Sequence, residues 1–219
     1  MNRNIHSFIL VAGFGVSLLA LPDTARSQGF YLKGDTGVAF SEDVDVRRFL
    51  GPAPGVKIDL ETGGRFSVAG GYNFNDWIGV QLETGVIYNE IDSITGAGNV
   101  EGSLSHVPLL ASVVLRYDKP NCPVVPYVGI GMGGDSSSIW LDDVRVGAFV
   151  VDGSDAELVF AWQAFAGLRY RINQHMSVGG GYKYFYAEGA EYDVEDIAAD
   201  IELGKAQVHS FVVDFTWTF

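Results

Sequence analysis

The sequence is poor in cysteine and in positive charge. Cys122 is the only cysteine among 219 residues, so an internal disulfide is excluded and packing and hydrogen bonds must hold the fold together. Lys and Arg number 14 against 27 Asp and Glu, a net charge of −13, which argues against nucleic acid as a partner because phosphate binding needs clustered cations. With 47% hydrophobic and only 19% charged residues, the chain is also not a disordered polyelectrolyte. We expect one folded domain with much apolar surface.

Residues 1–27 predict a secretory signal peptide. Arg3 is the only early charge, residues 8–21 are uncharged and mostly apolar, and Ala25 and Ser27 are small residues that suit cleavage before Gln28. This run is shorter than the ~20 apolar residues of a spanning helix, which disfavours a retained anchor helix. We therefore expect residues 28–219 to form the mature domain.

After Gln28 no run of 18 apolar residues occurs, and apolar and polar residues alternate in segment after segment. The pattern predicts an all-β fold with eight antiparallel strands, at about residues 29–41, 62–74, 77–90, 105–117, 125–134, 158–172, 176–187 and 206–219. Long connections (42–61, 91–104, 135–157 and 188–205) alternate with short turns (75–76, 118–124 and 173–175). Both ends of the strand array then lie on the short-turn side, as a closed barrel with an even number of strands requires.

The two faces of the predicted strands differ in size and polarity. In the last strand Phe211, Val213, Phe215, Trp217 and Phe219 alternate with smaller and more polar residues, and the third and sixth strands show the same division. An eight-stranded interior is too narrow for so many large aromatics, so these rows must face outward. The outward apolar rows therefore predict a transmembrane β-barrel rather than a soluble sandwich or a soluble ligand-binding barrel. In the glycine-rich fifth strand, the pattern does not decide which face points outward.

Charged side chains on the other face predict a polar network in the lumen. An unpaired ion would be costly in so narrow a space, so we expect these residues to pair inside the barrel: Lys33, Asp35, Arg65, Glu83, Arg116, Arg169, Arg171, Lys183 and Asp214. A passive pore lined by Arg and Lys is the alternative interpretation. Most Asp and Glu residues fall in the four long connections, which predicts an acidic rim at one end.

The closing segment, residues 208–219, resembles the C-terminal strand of Gram-negative outer-membrane proteins through its alternating aromatics and terminal Phe219. Residues 126–133 and 166–170 are also similar to strands of the small OmpA/OmpX-like and opacity-type porin-family barrels. The resemblance implies an outer-membrane location, short periplasmic turns and long extracellular loops. It also implies that the barrel-assembly machinery reads the C-terminal signal, Phe215, Trp217 and Phe219. Members differ in role, so the resemblance does not choose among support, adhesion and small pores.

Catalytic and metal-binding patterns are weak. Ser105 and His106 are adjacent on one strand and must point to opposite faces, so they do not form a hydrolase pair. The acidic run 193–202 lacks the spacing of a calcium-binding loop, and Cys122 lies in a proline-flanked turn. We expect no enzyme activity and no cofactor. The predicted role is structural or surface-interacting, with outer-membrane lipid around the barrel and cations or a surface partner at the acidic loops; a small channel is the alternative.

Overall fold

The computed structural model describes residues 29–48, 52–96, 101–119, 122–146, 149–194 and 199–219. The predicted signal peptide, residues 1–27, lies outside these ranges. No helix in the described ranges is long and apolar enough to cross a membrane. The strands are β1 (Gly29–Ser41), β2 (Val44–Arg48), β3 (Pro52–Leu60), β4 (Gly63–Asn73), β5 (Ile78–Ile94), β6 (Glu101–Arg116), β7 (Val124–Val146), β8 (Phe149–Arg171), β9 (Met176–Ala187), β10 (Glu191–Val194), β11 (Ala199–Leu203) and β12 (Ala206–Thr218).

Eight of these strands close into an antiparallel barrel. Their order is β5-β4-β1-β12-β9-β8-β7-β6, and β6 pairs with β5 to complete the circle. Starting at Glu83, the residue pairs reach β9 at Ser177 in one direction and at Ala187 in the other. This displacement, from residue 177 to residue 187, requires tilted strands, by roughly 35–45° in barrels of this kind. The predicted eight-stranded antiparallel barrel is confirmed.

Asparagine side chains form the two tightest connections. In the turn between β4 and β5, the backbone N–H groups of Trp77 and Ile78 donate to Asn75 Oδ1 at 2.8 and 2.9 Å. In the turn between β8 and β9, the N–H groups of His175 and Met176 donate to Asn173 Oδ1 at 2.9 and 2.8 Å. An Asn side chain that accepts from the backbone two and three residues later stabilises a tight turn, which explains why these connections stay short.

The bulky apolar rows face outward. Phe211, Val213 and Phe215 of β12 are exposed on the outer surface, whereas their strand neighbours Val212 and Asp214 are buried inside. The facing of the glycine-rich β7 is also settled: Val128, Ile130 and Met132 are more than half exposed, and the inward positions between them are glycines. Glycine therefore occupies the crowded interior of this strand, while its larger side chains face outward.

The long connections are largely strand. β5, β6, β7 and β8 run beyond their predicted ends, and the hairpins β2–β3 and β10–β11 continue the wall in the order β10-β11-β2-β3-β5. The reason is that inward apolar positions persist past the predicted ends: Val44, Val46, Ile58 and Leu203 are all buried in the core that forms there. The barrel thus extends further at the long-connection end than at the short-turn end.

Half of the wall bends where this extension begins. The strand pairs β1/β2, β3/β4, β9/β10 and β11/β12 are each interrupted by two or three residues, whereas β5 to β8 continue without a break. Hydrogen bonds span the interruption, among them Glu42 N to Gln207 O at 2.9 Å and Gly204 N to Asp45 O at 2.7 Å. Gly189 is required there, because a Cβ would lie 2.5 Å from the carbonyl oxygen of Leu203. The bend brings the two hairpins into the same core as the continuous strands.

Candidate functional site

The middle of the lumen holds a buried group of charges, which we call the central ionic cluster: Lys33, Asp35, Arg65, Glu83 and Lys183. Lys183 Nζ lies 2.7 Å from Asp35 Oδ2 and 2.8 Å from Glu83 Oε1. Lys33 Nζ lies 3.1 Å from Asp35 Oδ2, and Arg65 Nη2 lies 3.0 Å from Glu83 Oε1. Four strands supply these five side chains, so the cluster cross-links the barrel through its centre.

Neutral polar groups complete the hydrogen bonds of this cluster. Ser67 Oγ donates to Asp35 Oδ1 at 2.5 Å and accepts from Lys183 Nζ at 3.1 Å. Gln163 Oε1 accepts from Arg65 Nη2 at 2.8 Å, and Gln163 Nε2 donates to Glu83 Oε1 at 3.2 Å. Each carboxylate therefore has several donors, which is the condition under which buried charge is tolerated.

A second charged pair lies closer to the short-turn end. Arg169 Nε donates to Asp214 Oδ1 at 2.9 Å, and the Tyr127 hydroxyl donates to Asp214 Oδ2 at 3.1 Å. The Arg169 guanidinium also lies 4.6 Å from the centroid of the Tyr127 ring. The ring and the carboxylate together hold Arg169 across the lumen.

Arg116 and Arg171 lie at the short-turn mouth and do not join the central ionic cluster. Arg171 pairs with Asp118, Arg116 Nη1 lies 3.9 Å from the same carboxylate, and Arg116 Nη2 donates to Asn75 O at 2.6 Å. Sequence reasoning assigned Asp118 to a turn and missed it as the partner of both arginines. The nine predicted residues thus occupy three layers along the lumen. Six of them are buried, and the three arginines 116, 169 and 171 are half-buried.

The turn that follows Arg116 carries an exposed lysine over an aromatic ring. Lys119 Nζ lies 4.7 Å from the centroid of the Tyr117 ring. A hydrogen bond with Tyr117 raises the pKa of the Lys119 ammonium. Lys119 therefore stays charged at neutral pH at the short-turn end.

Sequence reasoning also missed a His–Asp pair above the central ionic cluster. His106 Nδ1 lies 2.6 Å from Asp135 Oδ2, and both side chains are buried. The His106 ring packs against Phe185 with 5.6 Å between the ring centroids. His106 was weighed only with Ser105, which lies on the opposite face, and Asp135 was assigned to a loop. Extending the alternation of β7 by one residue would have placed Asp135 inside.

The long-connection end of the lumen is closed by an apolar core, which we call the outer cap. It combines Val44, Val46, Ile58 and Leu203 from the hairpins with inward residues of the barrel strands, among them Ile87, Ile91, Leu104, Ile139 and Phe185. All of these side chains are buried, and the strand register places them on the long-connection side of the central ionic cluster. The outer cap was not predicted, since its hairpins fall in segments that were treated as loops.

Aromatic side chains form two belts on the outer surface. Near the short-turn end Trp77 packs on Tyr117 with centroids 5.0 Å apart, and the His175 ring stacks on Trp217 at 5.9 Å. Near the other end Trp162 packs on Tyr184 at 5.3 Å. Two such belts with an apolar band between them are typical of barrels that cross a membrane.

The outer surface beyond the bend carries exposed acidic side chains. Glu42, Glu61, Glu90 and Glu188 are exposed close to the bend. The basic residues of the two hairpins are already opposed by carboxylates: Arg47 lies 3.6 Å from Glu202, Arg48 lies 3.6 Å from Glu191, and Lys57 lies 3.7 Å from Asp43. Such exposed pairs stabilise little. Glu42 lies 3.1 Å from His209 Nε2, so Glu61, Glu90 and Glu188 are the rim glutamates for which the described residues show no cationic partner.

The remaining predicted features lie on the surface or outside the described ranges. Phe215, Trp217 and Phe219 are all exposed on the outer face at the short-turn end. Cys122 is exposed and free, with its thiol 3.3 Å from Val124 O. The acidic run 193–202 includes residues 195–198, which lie outside the described ranges.

Comparison with known proteins gives a consistent result. The family model described as "Outer membrane protein beta-barrel domain" matches residues 7–219. The crystal structure of Neisserial surface protein A (NspA) aligns with a TM-score of 0.53 and 17% identity over 87% of this chain and 97% of that one. The outer membrane protein OprG from Pseudomonas aeruginosa aligns with a TM-score of 0.54 and 15% identity over 88% of this chain and 96% of that one. No curated protein sequence matches this chain.

Proposed function

We propose that this chain, which belongs to the outer membrane protein beta-barrel domain family, is a non-conducting surface protein that presents its acidic extracellular rim to cations or to a basic partner. The protein is an integral β-barrel of the Gram-negative outer membrane, embedded in lipid. The short turns then face the periplasm and the extended end, with its acidic rim, faces the cell exterior.

The layered filling of the lumen carries this proposal. Water and ions crossing the barrel would have to pass the mouth arginines, the Arg169–Asp214 pair and the central ionic cluster, and then the outer cap. Moving an ion from water into this interior costs several kcal/mol, by general estimates of charge desolvation. An ion that crosses the barrel would also have to displace the buried ion pairs, and these two costs together close the path. The part of the molecule left for function is therefore its surface.

Conductance in a planar bilayer tests the closed lumen. We expect no reproducible single-channel steps from the purified, refolded barrel, measured beside a large porin that shows the assay is working. The rival function is a small passive channel, motivated by the inward arginines 116, 169 and 171. Reproducible steps that vanish when the protein is omitted would establish the channel and refute the closed barrel.

Binding of a cationic peptide tests the proposed role of the acidic rim. The double variant Glu90→Gln/Glu188→Gln removes two exposed carboxylates of the rim, and Asp76→Asn removes a half-buried carboxylate at the short-turn end. We expect the double variant to bind an oligolysine peptide roughly two- to thirtyfold more weakly, because each of the two lost ion pairs contributes about 0.2–1 kcal/mol. Asp76→Asn should leave the affinity unchanged when only the extended end is accessible to the peptide.

The C-terminal strand supports a further part of the proposal. Its residues Phe215, Trp217 and Phe219 form an exposed aromatic row on the outer face, which suits recognition by the barrel-assembly machinery before the strand is surrounded by lipid. Deleting Phe219 should lower the amount of heat-modifiable protein in washed outer membranes. The control is Phe219→Tyr, which keeps the terminal aromatic and should assemble normally.

A further inference from the structure

The outward rows of β9 and β12 change from apolar to polar just below the bend. On β12 the outward residue that follows Phe211 towards the bend is His209, and its Nε2 lies 3.1 Å from Glu42 Oε1. The Tyr182 hydroxyl of β9 lies 2.6 Å from His209 Nδ1. Ionisable groups are costly against acyl chains, so this chain of three side chains marks the level at which the surrounding leaflet changes from acyl chains to headgroups.

Three aromatic side chains at this level have hydrogen-bond donors without an acceptor. Tyr184 and Tyr186 lie on the outward row of β9, and Trp162 lies opposite Tyr186 on β8. The Trp162 ring packs on both tyrosines, with centroids 5.3 and 5.8 Å apart, and the Tyr184 ring packs on His209 at 5.2 Å. Among the described residues, none accepts from the Trp162 indole N–H or from the Tyr184 and Tyr186 hydroxyls. Such groups at a membrane interface find their acceptors in lipid headgroups.

A cation lies next to these donors, on the side of the bend. Lys205 is exposed in the break between β11 and β12, two residues beyond Gln207, which pairs with Tyr186. Two residues of a strand span about 7 Å and neighbouring strands lie about 5 Å apart, so one headgroup can contact both Lys205 and the aromatic donors. Within the part of the chain that the structure describes, Lys205 forms no ion pair, unlike the basic residues of the β2–β3 hairpin.

Carboxylates border the same surface and can accept hydrogen bonds. Glu188 is exposed beside Ala187, which pairs with Ala206, so it lies across the break from Lys205. Glu42 is already held by His209 and by the side-chain amide of Gln207. The surface therefore combines a cation and three neutral donors, which suit a phosphate, with a carboxylate that suits a hydroxyl. A phosphorylated sugar carries both of these groups.

We propose that this surface, which we call the headgroup patch, binds the phosphorylated sugar headgroup of a glycolipid in the outer leaflet. The patch consists of Trp162, Tyr184, Tyr186, Glu188 and Lys205. A phosphate of the lipid accepts from Lys205 and from the aromatic donors, and a sugar hydroxyl donates to Glu188. The occupant is a lipid because the patch lies in the aromatic belt of a barrel that is embedded in lipid. The site does not rest on the proposed role of the acidic rim, since a lipid reaches it from within the membrane plane.

Retention of lipid by the wild-type barrel tests the headgroup patch. The barrel is refolded in phosphatidylcholine vesicles that also contain lipid A, dephosphorylated lipid A or phosphatidylglycerol, and the lipids that stay bound in detergent are identified by native mass spectrometry. We expect lipid A to be retained in preference to the other two, because only lipid A offers both phosphate and sugar hydroxyls. Equal retention of phosphatidylglycerol or of dephosphorylated lipid A would overturn the proposal.

Two Lys→Gln variants locate the site on the barrel. Lys205→Gln removes the cation of the headgroup patch, and Lys119→Gln removes the exposed lysine that packs on Tyr117 in the belt at the other end. We expect Lys205→Gln to lower the affinity for lipid A about two- to fivefold, which is the effect of one exposed ion pair, and Lys119→Gln to leave it unchanged. The double variant Tyr184→Phe/Tyr186→Phe keeps both rings and removes two donors, so it should also weaken retention, by about fivefold. Wild-type affinity in Lys205→Gln, or an equal loss in Lys119→Gln, would refute the headgroup patch.

Discussion

Replacing Glu83 by Gln removes the carboxylate on which the central ionic cluster depends. Glu83 Oε1 lies 2.8 Å from Lys183 Nζ and 3.0 Å from Arg65 Nη2, and its Oε2 lies 3.8 Å from Lys33 Nζ. After the substitution Asp35 alone would face three buried cations. Removing one partner of a buried ion pair costs about 3–5 kcal/mol, so we expect the free energy of unfolding to fall by that amount. Since each 1.4 kcal/mol is about tenfold, the unfolding equilibrium should shift by more than a hundredfold.

Lys33→Met is the informative control because it changes the charge balance in the opposite direction. Lys33 lies 3.1 Å from Asp35 and is as buried as Glu83. Its removal leaves two cations facing two carboxylates, and the Met side chain can occupy the space beside Phe165, over which the Lys33 ammonium lies at 5.7 Å. We therefore expect a loss below about 1 kcal/mol, because Arg65 and Lys183 still face the two carboxylates and no uncompensated charge is left buried.

Both variants are measured by urea titration of barrels refolded in lipid vesicles. The folded fraction is read from the mobility of unheated samples on gels, in the same buffer for both variants. The reasoning is refuted if the two variants lose equal stability, since the difference rests only on the sign of the charge removed.

Three more predictions concern the membrane face, the outer cap and the leader. Met132→Lys puts a charge on the outward row of β7 and should lower the free energy of unfolding in lipid by about 2–4 kcal/mol. Ser138→Lys lies beyond the apolar band on the same strand and should lower it by less than about 1 kcal/mol. Equal losses for the two variants would contradict the membrane placement. Ile58→Asp buries an unpaired carboxylate in the outer cap. The β2–β3 hairpin should then become sensitive to protease, while the barrel keeps its heat-modifiable mobility on gels. An unchanged digestion pattern would contradict the outer cap. Mass spectrometry of the exported protein should find Gln28 as the first residue, and a mass that retains residues 1–27 would reject the signal peptide.

Local pattern was sufficient for most of the barrel. The strands at Gly29–Ser41 and Met176–Ala187 coincide with the predicted ranges, because strict alternation in each is bounded by turn residues such as Asn173. The outward rows followed from volume alone, since large aromatics on one face and charges on the other admit only one orientation in a narrow barrel. This argument left the facing of β7 open, because three of its inward positions are glycine, which lacks the polar or charged side chain that marks the inward face of other strands.

The predicted set of inward charges did not specify its own pairing. Alternation places Lys183 and Arg116 on inward faces, yet it does not say that Lys183 meets Asp35, 148 residues away in sequence, or that Arg116 lies at the mouth with Asp118. Which charges meet depends on the order of the strands and on their tilt around the barrel. A displacement of one strand by two residues would keep every face and change each ion pair that this strand makes with another.

The sequence by itself determined the class of this protein: alternation, side-chain volume and the terminal aromatic strand suffice for an outer-membrane barrel, because they depend only on near neighbours along the chain. The tertiary structure decided what the lumen contains. The central ionic cluster and the outer cap join residues from strands far apart in sequence, and closure of the barrel brings them together. The His106–Asp135 pair joins the consecutive strands β6 and β7, and it depends on their register. Short apolar segments such as β2 and β11 carry too little pattern to be recognised alone, and they become strands because an existing wall offers them hydrogen bonds and a core to cover.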